Sequence, residues 1–95
     1  NPATESQGDS VPPRKLSYNE QREFDAMEES ITIFEEELAQ LETEFAQPDF
    51  YLRHKEDWQD LEAKQKATRG RIGELYIRWE ELEAIRVAYE ESRKS

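Results

Sequence analysis

The residues with the clearest chemical potential are cationic. Lys64-Gln65-Lys66-Ala67-Thr68-Arg69-Gly70-Arg71 holds four bases and no acid, and Arg53, His54 and Lys55 form a second cluster before it. Lys64, Arg71 and Arg78 recur every seven residues, so a helix would carry them along one side. Such groups bind phosphate oxygens, lysine as a compact charge and arginine through a planar fork of donors. Arg53, Lys55, Lys64, Lys66, Arg69, Arg71 and Arg78 are therefore the candidate contacts to the backbone of DNA or ribosomal RNA, with Tyr51 available to stack on a base. The competing reading is that Lys64, Arg69 and Arg71 neutralise acids of the same chain. Lys66, Arg53 and Lys55 have no such partner in prospect.

Other chemistry has little support. No Gly-x-x-x-x-Gly-Lys-Ser/Thr loop is present, so ATP hydrolysis would belong to domains beyond this chain. The single histidine cannot build a metal site, and no Ser, His and acid constellation stands out. The many carboxylates read as solvated helical surface. No catalytic residue and no metal ligand is assigned, and no cofactor is expected to bind this chain. Gly70 and Gly73 share the spacing of a KH-domain GxxG loop, but no strands surround them, and tolerance on an exposed helix face is the simpler reading. His54 reads as an ordinary turn residue.

Charge narrows the partners further. Twenty-three acids against 13 Lys and Arg leave a net charge of −10, which opposes indiscriminate attraction to nucleic acid or anionic lipid. The imbalance is local. Residues 20–46 hold ten acids and one base, Arg22, whereas residues 54–95 hold ten acids and nine bases. A function that needs positive charge must use the second half. An interaction of the acidic first half, Glu35, Glu36 and Glu37 above all, with a basic protein is the alternative to nucleic-acid binding.

The elements that position these groups follow from spacing. Residues 1–13, with Val11 their one large apolar group, read as a disordered linker after some preceding segment. Ser17-x-x-Glu20 has capping-box spacing and opens a helix. Phe24, Met27, Ile31, Phe34, Leu38, Leu41 and Phe45 then alternate at three and four, the a/d seam of a coiled coil. Pro48-Asp49 stops this helix. Trp58, Leu61, Gln65, Thr68, Ile72, Leu75, Trp79 and Leu82 form a second seam, with Gln65 and Thr68 as polar positions that fix register.

The short connection forces the helices to fold back. The expected fold is thus all-α: a two-helix antiparallel coiled-coil hairpin over residues 14–92, with helices at about 17–46 and 55–91 and a turn at about 47–54. Level pairing sets Phe45 by Leu61, Phe34 by Ile72, Met27 by Trp79 and Phe24 by Leu82. The same register brings Glu37 toward Arg71, Glu44 toward Lys64 and Glu35 toward Arg69, with Glu42 against Glu62. Phe50, Tyr51 and Leu52 are expected to plug the turn end, and Leu16 and Tyr18 to cover the open end. With no cysteine, no apolar run long enough to span a bilayer and no signal peptide, a cytoplasmic monomer without membrane contact is expected.

Three strings are more specific than the seam. Arg14-Lys15-Leu16-Ser17-Tyr18-Asn19-Glu20-Gln21-Arg22-Glu23 resembles the opening of the C-terminal domain of ABC-F proteins of the Uup-like branch. Pro48-Asp49-Phe50-Tyr51 resembles its hairpin turn, and Arg78-Trp79-Glu80-Glu81-Leu82-Glu83 its closing motif. The resemblance covers about residues 14–91. It implies a parent protein with two ATP-binding cassettes, binding ATP and Mg, with no membrane domain. The appendage itself is implied to contact DNA or the ribosome, or to pack on the ATPase domains of the same chain. Relatives often carry Leu-Pro where this sequence has Met27-Glu28, so the first helix is expected to run through. The net charge of −10 also departs from the pattern of a DNA-binding appendage.

Overall fold

Ser17 opens the first helix as its spacing requires. In the computed structural model, which describes residues 12–94, the Ser17 hydroxyl accepts from the Glu20 amide at 3.1 Å. The Glu20 carboxylate accepts from the Ser17 amide at 2.8 Å, completing the capping box. Arg14 closes on the same carboxylate with two bonds of 2.7 and 3.0 Å and, with the Ser17 amide, holds the Glu20 carboxyl down to about 2. The helix so started, α1, runs from Tyr18 to Phe45, continuous through Met27-Glu28. The linker expected over residues 1–13 lies outside the described residues except for Pro12 and Pro13.

The described residues are all-helical, with three helices where two were expected. A one-turn helix, α2 (Phe50–Arg53), occupies the turn, and α3 runs over Trp58–Arg93. None of these helices is long and apolar enough to cross a membrane. The expected start of the last helix near residue 55 moves to Trp58 because residues 54–57 form a turn in which the Asp57 and Trp58 amides bond back to the His54 carbonyl.

Burial follows the two seams. Phe24, Met27 and Ile31 of α1 and Thr68, Leu75 and Leu82 of α3 are buried, and the remaining seam positions are half-buried. Leu16, Phe34, Trp79 and Ile85 pack around this cluster, so the core is thickest toward the open end. Each fully buried large apolar side chain contributes roughly 1.5–3 kcal/mol. Leu16 covers the open end as expected; Tyr18 does not, being 75% exposed. At the turn end Phe50 alone is the plug. It is 1% exposed and packs edge-on against Phe45 at 4.7 Å, whereas Tyr51 and Leu52 face solvent.

Cross-helix partners pair early residues of α1 with late residues of α3. Phe24 stacks on Trp79 at 5.6 Å rather than lying level with Leu82. The partner of Phe24 is thus displaced from level by three residues, about a turn.

Candidate nucleic-acid interface

That displacement decides where the cations go. Successive residues turn 100° about a helix, so Lys64, Arg71 and Arg78 line one flank of α3 and Arg69 the other, with Lys66 on the back, away from α1. Along the first flank, α1 presents Glu23, Ser30, Glu37 and Glu44 at the same seven-residue interval. Arg78 makes a bidentate pair with Glu23, 2.7 and 3.0 Å, and a further bond of 3.0 Å to Glu81. The hydrogen bonds from Arg78 hold the Glu23 carboxyl below the usual carboxylate range. The next rung has no acid on α1. Arg71 shares a groove of about 310 Å³ with Ala26 and Ser30, and reaches only Glu74 of its own helix, at 3.4 Å. Lys64 lines a shallow groove with Glu37 and Glu44 but forms no ion pair with either.

On the second flank Arg69 pairs with Glu42 at 2.6 Å, and Tyr76 donates to Glu35 at 2.8 Å. The expected pairs Glu37–Arg71, Glu44–Lys64 and Glu35–Arg69 are therefore corrected: Glu35 accepts from Tyr76, two turns beyond Arg69, Glu44 is taken by Arg53 and His54 of the turn, and Glu37 has no ion-pair partner among the described residues. The expected clash of Glu42 with Glu62 is relieved too, since Glu42 takes Arg69 and Glu62 accepts from the Tyr51 hydroxyl at 3.3 Å.

The turn holds the last rung. Arg53, for which no partner was in prospect, pairs with Glu44 at 2.8 Å and Asp49 at 3.1 Å. His54 is not an ordinary turn residue. Its Nε2 lies 3.1 Å from Glu44 and its Nδ1 3.0 Å from Asp57, with its ring against Phe50 at 4.8 Å. In the imidazolium both ring nitrogens donate, one to each carboxylate, whereas the neutral ring can donate to only one of them. The Glu44 contact raises the His54 pKa, and the same contact, helped by Arg53, lowers that of Glu44.

The seven candidate cations thus separate into two groups. Arg53, Arg69 and Arg78 are bound across elements, and Arg71 is held weakly within its own. Lys55, Lys64 and Lys66 have no ion-pair partner among the described residues, where no cluster of His, Asp and Glu could hold a metal either.

Residues 15–84 match the family model described as ABC transporter C-terminal domain. The chain belongs to that family. It is 36% identical over 70 residues to the ATP-binding protein Uup-like of Haemophilus influenzae, a match covering 73% of this chain. The chain spans 15% of that protein's length. No solved structure matches. Two comparisons thus agree on a C-terminal domain of an ABC-F, Uup-like protein.

In this ABC transporter C-terminal domain the strings that carried the resemblance have structural work. Arg14, Ser17 and Glu20 form the helix start, Phe50 plugs the turn, and Arg78 and Trp79 clasp α1 through Glu23 and Phe24. Sequence reasoning missed the roles of His54 and Tyr76. The only signal for His54 was an acid three residues after it.

Proposed function

We propose that this C-terminal domain is an antiparallel coiled-coil module that contacts the phosphate backbone of DNA or ribosomal RNA through the basic segment from Arg53 to Arg71. The observation that carries the reading is the unequal engagement of the cations there. Lys55 and Lys66 face solvent without an acid, Lys64 forms no ion pair, and Arg71 stands opposite Ser30 where its neighbours stand opposite glutamates. Cations already paired contribute little to an external phosphate, because the internal bond must first be given up. The contact set therefore narrows to Lys55, Lys64, Lys66 and Arg71, with Arg53, Arg69 and Arg78 holding the frame. A surface this sparse on a chain of net charge −10 binds weakly and only at low salt. Within the parent protein, ATP and Mg would be bound by domains outside this chain.

The test is a titration of the isotope-labelled chain with short DNA and RNA strands at low salt. Amide shifts within residues 53–71 support the reading, and a titration that leaves that segment unmoved overturns it. A second reading rests on Ile77 and Val87, 64% and 41% exposed on the back and flank of α3. They suit packing against the ATPase domains of the same chain. Under that reading, charge reversal at Glu35, Glu36 and Glu37 abolishes a protein contact and nucleic acid does not bind.

A further inference from the structure

The two ends of the described chain meet where α1 begins and α3 finishes. Leu16 packs onto the core there, alongside Ile85. Residues 14–22 and 83–94 bring together six cations, Arg14, Lys15, Arg22, Arg86, Arg93 and Lys94, against four acids, Glu20, Glu83, Glu90 and Glu91. Each acid has a cationic partner: Glu20 has Arg14 at 2.7 Å, Glu83 and Glu90 have Arg86 at 2.8 and 3.9 Å, and Glu91 has Lys94 at 3.5 Å. Lys15, Arg22 and Arg93 remain, with no ion-pair partner among the described residues.

These three share another surrounding. Lys15 Nζ lies 5.9 Å and the Arg93 guanidinium 5.8 Å from the centre of the Tyr89 ring, and Arg22 lies 5.7 Å from that of Tyr18. Cations over aromatic rings are weakly held and remain open to anions. An open groove of about 300 Å³ is lined by Lys15, Gln21, Arg86, Tyr89, Glu90 and Arg93, with Arg22 and Tyr18 outside its lining. A groove that sets Lys15 and Arg93 around Tyr89, with Asp25 bonded to its Gln21 and Glu90 in its wall, is thus assembled from segments far apart in sequence, on a chain that is strongly acidic.

We infer that this open-end groove is a second seat for single-stranded nucleic acid, in which Lys15 and Arg93 take backbone phosphates, and the exposed Tyr18 ring, one turn of α1 before the groove's Gln21 and with Arg22 over it, offers a stacking platform beside it. The inference rests on the nucleic-acid reading and adds a locus to it. A single strand is favoured over a duplex because stacking on tyrosine needs an unpaired base face, which a duplex hides. Lys66 and Arg93 are separated by roughly 40 Å of helix at the usual rise, so the two seats are distinct contacts.

The test uses the whole 95-residue chain and a short oligothymidylate at low salt. The amides of Lys15, Tyr89 and Arg93 should shift together with those of the 53–71 segment. Lys15→Gln combined with Arg93→Gln should lower the slope of log affinity against log salt by about 0.7 for each lost phosphate contact. Lys64→Gln with Lys66→Gln serves as the parallel variant, and circular dichroism confirms that both keep their helix. An unchanged slope in the first variant with a reduced one in the second overturns the inference and leaves the nucleic-acid reading standing. No binding by the unaltered chain overturns both. Equal affinity for a duplex of the same length overturns the commitment to a single strand.

Discussion

Phe50→Ala tests how the turn is bound to the rest of the molecule. The Phe50 side chain is 1% exposed, with ring contacts to Phe45 at 4.7 Å, to His54 at 4.8 Å and to Tyr51 at 5.0 Å. Among the described residues it is the one fully buried apolar side chain of the segment that joins α1 to α3. Truncation of a fully enclosed phenylalanine costs about 3–5 kcal/mol, from lost transfer energy and from the cavity left behind. A domain of this size rarely draws more than roughly 3–5 kcal/mol from its core, so the loss is comparable with the whole stability. Urea denaturation followed by far-ultraviolet circular dichroism should show the variant largely unfolded, or with a midpoint near zero denaturant. Leu52→Ala is the matched control: two residues away and 71% exposed, it should change stability by less than about 0.5 kcal/mol. Equal midpoints for the two variants would refute the argument that Phe50 closes the seam.

Three further outcomes are expected. Gly70 and Gly73 lie inside α3 where an added Cβ would meet nothing within 4 Å, so alanine at either should stabilise by roughly 1 kcal/mol and raise Tm by about 4–8 °C. His54, faced by Glu44 and Asp57 with Arg53 and Asp49 beside them, should titrate above 6.5 in a proton NMR experiment. Its contribution to stability is complete below that ordinary value and is lost as pH rises through the raised midpoint; His54→Gln should flatten this dependence. Arg78→Lys keeps the charge but loses the fork, and should lower the urea midpoint. A double-mutant cycle with Glu23→Gln should show coupling that fades as pH falls through the lowered Glu23 midpoint.

The seams were legible because burial demands a fixed period. The apolar positions of α1 and α3 named from spacing are the ones the structure buries or half-buries. The helix start was legible because Ser17 and Glu20 satisfy backbone amides locally, without help from distant residues. The helix in the turn was not, since the four residues of α2 are too few to display a period. The charge pairings failed for a geometric reason. Level pairing places partners by the seam, but flanking side chains lean along the helices in opposite senses on the two sides. Glu23 thus reaches Arg78, and Glu42 reaches Arg69. Only a flank-by-flank reading would have found the acid-free rung at Ser30, and with it the weakly held Arg71.

The separation of arginines from lysines has a chemical consequence. Six arginines pair with acids within the chain, while among the described residues Lys94 is the one lysine that does so. Enzymatic acylation attacks lysine and spares arginine. Acetyl groups on Lys55, Lys64 or Lys66 would cancel positive charge at the outer surface and leave every internal ion pair in place. The helical frame would be indifferent to a modification that its partners would feel.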